Sequence, residues 1–268
     1  MHLEINSGVV MKESASNTLV VDLGNSTVSM ALFVNGDVKE HWKIPSVDLH
    51  STRDFEIAVQ ESLPSSKSEM ALKSIVVSSV VIPKTESLKK ALSLLFPGVA
   101  FHTVSVSQKS QLINGLVPNE LGTDLYANAI EARFKKPDLP TIVVDFGTAL
   151  TFIMTDEGGF IKGVSIAPGV KTSLRSLYQV APSLEGFPLS IPFTSLGENT
   201  EEAINAGVFY TVSGAVKEVI AAMEKETGKK AYKIATGGHS LMFAPFVGIF
   251  DEIDNLHTIK GMYTLFNF

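Results

Sequence analysis

The pattern Val-Val-Asp-x-Gly occurs twice in the chain, and this repetition constrains the fold more than any bulk property does. In Val143-Val144-Asp145-Phe146-Gly147-Thr148-Ala149-Leu150-Thr151-Phe152 an apolar run delivers one carboxylate, then a glycine and two threonines, before the apolar pattern resumes. Val20-Val21-Asp22-Leu23-Gly24-Asn25-Ser26-Thr27-Val28 is a weaker copy near the start. Each copy predicts two strands joined by a tight, hydroxyl-rich turn. Glycine lets the backbone approach a ligand closely, and turn amides and hydroxyls can donate to phosphate oxygens. The carboxylate can hold a hydrated divalent cation. Two such turns facing each other would grip one polyphosphate from both sides.

The surroundings of the two turns repeat as well. Strands are expected over 18–23 and 28–34, and Asn35-Gly36 signals a hairpin into a third strand over 38–44. A helix over 52–63, a surface loop over 64–69, a strand over 74–82, a helix over 85–96 and a short strand over 99–106 follow. After a helix over 121–134 the order begins again, with strands over 141–145, 150–155 and 160–166 and a helix over 170–180. The longest helix has Asn199 as N-cap, Glu202 to complete a capping box and Gly228 at its end. A strand over 232–235 precedes Thr236-Gly237-Gly238. The reading is α/β, with a polar extension over 1–17 and two similar halves over 18–136 and 137–268 separated by a cleft.

Composition removes several classes of function. The hydrophobic share of 45% and charged share of 19% are those of a globular chain with a real core. The net charge of −6 argues against nucleic acid as a direct partner, since phosphate backbones select basic faces. The absence of cysteine excludes disulfides, thiolate metal sites and cysteine nucleophiles. No uninterrupted apolar run approaches the ~20 residues of a membrane span, and residues 1–17 lack the apolar centre of a signal peptide. A cytoplasmic protein with no membrane partner is expected.

Asp22 and Asp145 are the candidate metal and phosphate residues; the plainer role for each is to stabilise a turn. Gly237 and Gly238 could pack against a flat base or a ribose, although Gly-Gly after a strand is also ordinary turn chemistry. Gly122-Thr123-Asp124 opens a helix, so Asp124 reads either as a general base or as an N-terminal cap. The six histidines form no metal-ligand pair at helical spacing, and His239 beside Gly238 could brush a nucleotide but reads first as solvated surface. The chain carries neither a P-loop nor a dinucleotide fingerprint.

Together these motifs resemble the actin, hexokinase and Hsp70 ATPase superfamily, and within it the type III pantothenate kinases, which include the Bvg accessory factors. Asp22-Leu23-Gly24-Asn25-Ser26 stands where that family has Asp-x-Gly-Asn-Thr, and Ser79-Val80-Val81-Ile82-Pro83 is similar to its Ser-Val-Val-Pro segment. Gly122-Thr123-Asp124 matches the start of Gly-x-Asp-Arg, and Asp145 to Thr151 fits Asp-x-Gly-Thr-Ala-x-Thr. Ala167-Pro168-Gly169 and Leu196-Gly197-Glu198-Asn199-Thr200 match two further stretches.

The resemblance implies two actin-like (ribonuclease H-like) domains with a nucleotide cleft between them, and ATP-dependent phosphorylation of pantothenate, the opening step of coenzyme A synthesis. It also implies a homodimer, a divalent metal such as Mg2+, and a monovalent cation such as K+ or NH4+. By that analogy Asp22, Gly24, Asn25, Ser26 and Thr27 line the metal-bound phosphates, and Asp145, Gly147, Thr148 and Ala149 form the second phosphate loop. Gly237 and Gly238 would lie near the nucleoside. Gly122, Thr123 and Asp124 would meet pantothenate, Asp124 would accept the hydroxyl proton, and Thr200 would bind pantothenate across a dimer interface.

Two positions depart from the family pattern. Leu125 replaces the motif arginine that holds the substrate carboxylate, and a leucine donates nothing to an anion. Ile153 stands where an aspartate commonly follows the Thr-Ala-x-Thr run, which bears on the monovalent-cation site. These departures keep two alternatives beside the kinase: a catalytically impaired nucleotide-binding homologue with a regulatory, transcriptional accessory role, and a kinase for another small hydroxyl compound.

Overall fold

The computed structural model describes residues 17–63 and 70–268. The predicted extension, Asn17 apart, and the loop predicted over 64–69 lie outside these described residues. The chain forms two compact units, one of the described residues up to Phe134 together with Thr258–Phe268, the other Lys135–His257.

In the first unit β1 (Asn17–Leu23), β2 (Thr27–Val34) and β3 (Asp37–Pro45) form an antiparallel meander. Asn35 and Gly36 turn between β2 and β3 with φ of 53° and 93°, the left-handed pair that a two-residue hairpin demands. After α1 (Thr52–Ser62) come β4 (Leu72–Ser79), α2 (Ile82–Leu95) and β5 (Ala100–Thr103). The sheet order is β3-β2-β1-β4-β5, with β4 parallel to both β1 and β5. The helix predicted from 85 begins at Ile82, because Pro83 sits in its first turn, where the missing N–H costs nothing. Leu19, Val21 and Leu23 of β1 pack with Phe55, Val59, Leu88 and Leu92 of α1 and α2.

The second unit repeats the plan with β6 (Thr141–Phe146), β7 (Ala149–Thr155), β8 (Ile161–Pro168), α4 (Val170–Val180), α5 (Thr200–Thr227), β9 (Tyr232–Thr236), α6 (Ser240–Val247) and β10 (Glu252–Ile253). Its order, β8-β7-β6-β9-β10, is the first sheet's order strand for strand. Ile142, Val144 and Phe146 of β6 pack with Phe209, Val216 and Phe243 of α5 and α6. Among the described residues α5 is long and apolar enough to cross a membrane by length and composition, with a mean hydropathy of 1.2 over 18 residues. Lys217 and Glu218 interrupt it, and its Phe209, Val212, Val216 and Ile220 are buried in this unit's core.

The chain does not divide as the sequence suggests. α3 (Thr123–Lys135) closes the first stretch, but α7 (His257–Asn267) belongs with the first unit rather than the second. Specific contacts hold it there. Tyr263 stacks on Phe33 of β2 with ring centroids 4.0 Å apart, and Thr264 Oγ1 donates to the buried Glu131 of α3 at 2.7 Å. Gly261 lies against the Ala127 backbone so closely that a Cβ would collide with the Ala127 carbonyl oxygen.

Candidate active site

Strand alternation aims the first aspartate. Val21 and Leu23 both enter the core under α1 and α2, so the side chain of Asp22 between them leaves by the opposite face, half-buried. Register places Ser29 of β2 on one side of it and Ser78 of β4 on the other. The turn beyond is closed by the Gly24 N–H, which donates to the Thr27 carbonyl at 2.9 Å, and Asn25 is exposed at its tip. Ser29 Oγ lies 3.1 Å from Nε2 of His41. Burial, helped by the ammonium of Lys43, pushes the His41 imidazole down to a pKa of about 4, so this partner is neutral at pH 7.

The second aspartate is placed by the same logic. Val144 and Phe146 are core residues, and Asp145 leaves by the other face, between Thr151 of β7 and Thr236 of β9. The Gly147 N–H donates to the Ala149 carbonyl at 3.1 Å. The Thr148 carbonyl accepts from the Gly169 N–H at 3.1 Å and from Thr172 Oγ1 at 2.6 Å. Gly237, at φ +93°, lies against this turn, and a Cβ on it would collide with Asp145 Oδ1 and approach the Phe146 backbone to 2.7 Å. The Thr-Gly-Gly segment and the second aspartate turn are therefore one constellation. His239, predicted as solvated surface, is half-buried instead: its N–H donates to the Phe146 carbonyl at 3.1 Å and its ring meets the edge of Phe243.

Two buried hydroxyls stand out because they occupy equivalent places. Ser78 Oγ and Thr236 Oγ1 are wholly buried, have no hydrogen-bond partner among the described residues, and flank Asp22 and Asp145 respectively. A buried polar atom without a partner carries a desolvation cost that a ligand or water can relieve. Among the described residues no three His, Cys, Asp or Glu side chains gather as a metal cluster. One carboxylate with hydroxyls beside it nevertheless fits Mg2+, which keeps waters and takes phosphate oxygens rather than an all-protein cage.

Asp124 lies in the first turn of α3, where its Oδ1 accepts the Leu125 N–H at 2.8 Å. The carboxylate occupies the space a Gly122 side chain would fill, which explains the glycine two residues before it. Leu125 is 5% exposed, a packed core side chain rather than a group presented to ligand. Ile153 is likewise buried, in register between Val143 and Val164. Thr200 is exposed as the first residue of α5, after the Asn199 cap whose side chain accepts from the Glu202 N–H at 3.0 Å. A cavity of about 480 Å³ beside that cap is lined by Glu198, Glu201 and Glu202 together with Ser190, Ile191, Phe193 and Asn205.

Sequence reading missed Ser29, Ser78, Ser46 and Thr172, all of which touch or flank a turn. Their signal lay in strand pairing and in the parallel between Pro45-Ser46 and Pro168-Gly169, each following the third strand of its half.

The sequence profile of the type III pantothenate kinases matches residues 18–222. A type III pantothenate kinase of Bacillus cytotoxicus is 31% identical over 252 residues, 92% of this chain and 94% of that protein. The chain belongs to the type III pantothenate kinase family. Among solved structures it is similar to a conserved putative Baf family transcriptional activator from Campylobacter jejuni, with TM-score 0.56 and 19% identity over 92% of this chain and 96% of that one. It is also similar to the activator of the 2-hydroxyisocaproyl-CoA dehydratase from Clostridium difficile, solved with bound ADPNP, with TM-score 0.53 and 13% identity over 93% and 94%. These likenesses bear on fold alone, two mixed α/β domains of actin-like architecture.

Proposed function

We propose that this kinase phosphorylates pantothenate with ATP, giving 4'-phosphopantothenate and ADP. The observation that carries the reading is the retention of Asp22, Asp124 and Asp145 in a member of the family, each aimed by its own local structure. The turn at Gly24–Thr27 and the turn at Gly147–Ala149 are each suited to ATP phosphates, and Gly237 and Gly238, packed against the second turn, to the nucleoside. Asp22 and Asp145 are the carboxylates that would hold Mg2+, whose charge would neutralise a transferring phosphoryl group. Asp124 takes the proton of the attacking pantothenate hydroxyl, whose oxygen then bonds to the γ-phosphorus as ADP leaves. Positioning and charge stabilisation carry most of such a reaction.

Gly122, Thr123 and, from a second copy, Thr200 contribute to the acceptor site. The homodimer this requires is supported by the apolar residues Val180, Ile191, Phe193 and Leu196, all exposed on the second unit. K+ or NH4+ would assist at the phosphates, and the cytoplasm is the compartment that such a metabolic reaction suits.

One observation favours a second reading. Leu125 is packed inside and carries no hydrogen-bond donor, so it offers nothing to a substrate carboxylate. An impaired, regulatory homologue or a kinase for an uncharged acceptor would follow. The test is purified protein with ATP, Mg2+ and either pantothenate or neutral hydroxyl analogues, with and without K+. Phosphopantothenate formation is expected; turnover of the neutral analogues alone, or ATP binding with no turnover, would replace the reading with one of its rivals.

A further inference from the structure

The first phosphate turn is held from behind by two residues that no motif singles out. Ser46, wholly buried just past Pro45, gives its N–H to the Ser26 carbonyl at 3.0 Å and its Oγ–H to the Gly24 carbonyl at 2.9 Å. The Ser46 carbonyl in turn accepts from Lys84 Nζ at 2.6 Å, and the same ammonium reaches the Val47 carbonyl at 3.0 Å. Lys84 is the third residue of α2, and that helix is itself tied to the turn by the Val80 N–H, which donates to the Leu23 carbonyl at 3.2 Å. A trans peptide points its C=O and N–H in opposite directions. Drawing the Gly24 carbonyl back onto Ser46 therefore turns the Asn25 N–H outward, at the exposed tip of the turn. A lysine whose bonds are spent on two backbone carbonyls is fixing a backbone path.

We infer that Lys84 and Ser46 are positioning residues for ATP: Lys84 fixes Ser46, and Ser46 presents the amide face of the Gly24–Ser26 turn to phosphate. This rests on the reading of that turn as a nucleotide phosphate site. The two bonds of the Lys84 ammonium go to the Ser46 and Val47 carbonyls, so its effect should fall on the turn and on ATP rather than on pantothenate recognition.

The experiment measures ATP affinity directly, by calorimetry with Mg2+ and a non-hydrolysable ATP analogue, beside steady-state kinetics on Lys84→Met, Lys84→Arg, Ser46→Ala and the Lys84→Met/Ser46→Ala pair. Each single change to Met or Ala should weaken ATP about tenfold, the size expected when hydrogen bonds from a charged donor or to a buried carbonyl are lost. The KM for pantothenate should stay within about twofold, Lys84→Arg should recover much of the loss, and the double variant should be no worse than the poorer single, as for residues acting in series. Thermal melts control for folding. Wild-type ATP affinity in Lys84→Met and Ser46→Ala, equal losses for both substrates, or additive losses in the pair would overturn the inference while leaving the phosphate-site reading intact. Wild-type protein that binds no ATP analogue would overturn that reading, and the inference with it.

Discussion

The two aspartate turns occupy equivalent places in equivalent sheets and each takes a side-chain bond to a carbonyl, yet the second adds close packing that the first lacks. Around Asp22 the backbone is held by side chains, with Ser46 and Lys84 reaching in from neighbouring segments. A Cβ on Gly24 would meet the Thr27 carbonyl at 3.3 Å, a tight contact that stops short of collision. Around Asp145 one side-chain bond, from Thr172 Oγ1 to the Thr148 carbonyl, is joined by close packing. Gly169, the counterpart of Ser46, has no side chain because a Cβ would collide with the Gly147 and Thr148 carbonyls, and Gly237 is pressed against the Asp145 carboxylate. The same turn geometry can thus rest on hydrogen bonds that mutation can tune or be reinforced by contacts that tolerate no added atom.

That difference predicts where substitutions hurt most. Gly237→Ala adds both a collision and a strained positive φ, and should cost about 3 kcal/mol of stability together with most of the ATP binding, read by thermal melts and calorimetry. Gly169→Ala should follow at about 1–3 kcal/mol, whereas Gly24→Ala should change stability by less than about 1 kcal/mol. Equal effects at Gly24 and Gly169 would break the comparison. Thr172→Val removes the 2.6 Å bond to the Thr148 carbonyl and should weaken ATP about fivefold, near the net worth of one hydrogen bond.

The smallest effect concerns pH. His41 is held neutral down to about pH 4, below its ordinary value of 6.5, so the unfolded chain binds the proton first. Stability should therefore fall as pH drops from about 6.5 towards 4. Replacing His41 with Gln should flatten that part of the curve in urea titrations, and an unchanged slope would show that the ring takes no part in it.

Much of this was legible in the sequence because it is local. Apolar alternation around Asp22 and Asp145 dictates which face each carboxylate takes, and Asn35-Gly36 and the Asn199–Glu202 cap declare themselves by residue type. What stayed hidden depends on pieces far apart in the chain. Ser46 meets Gly24 only because β3 runs beside β2, and Lys84 meets Ser46 only once α2 has packed. α7 reads as a continuation of the second half, yet Tyr263, Thr264 and Gly261 are shaped for Phe33, Glu131 and Ala127. The packed state of Leu125 likewise became visible only with its neighbours in place.

The measurement that tests the account most directly compares wild type with Asp124→Asn for formation of phosphopantothenate from ATP and pantothenate with Mg2+. The account predicts product from the wild type and a loss of about a thousandfold in kcat for the variant, the range of general-base catalysis, with ATP affinity preserved. Equal turnover by both proteins, or no product from wild type that binds ATP, would contradict it.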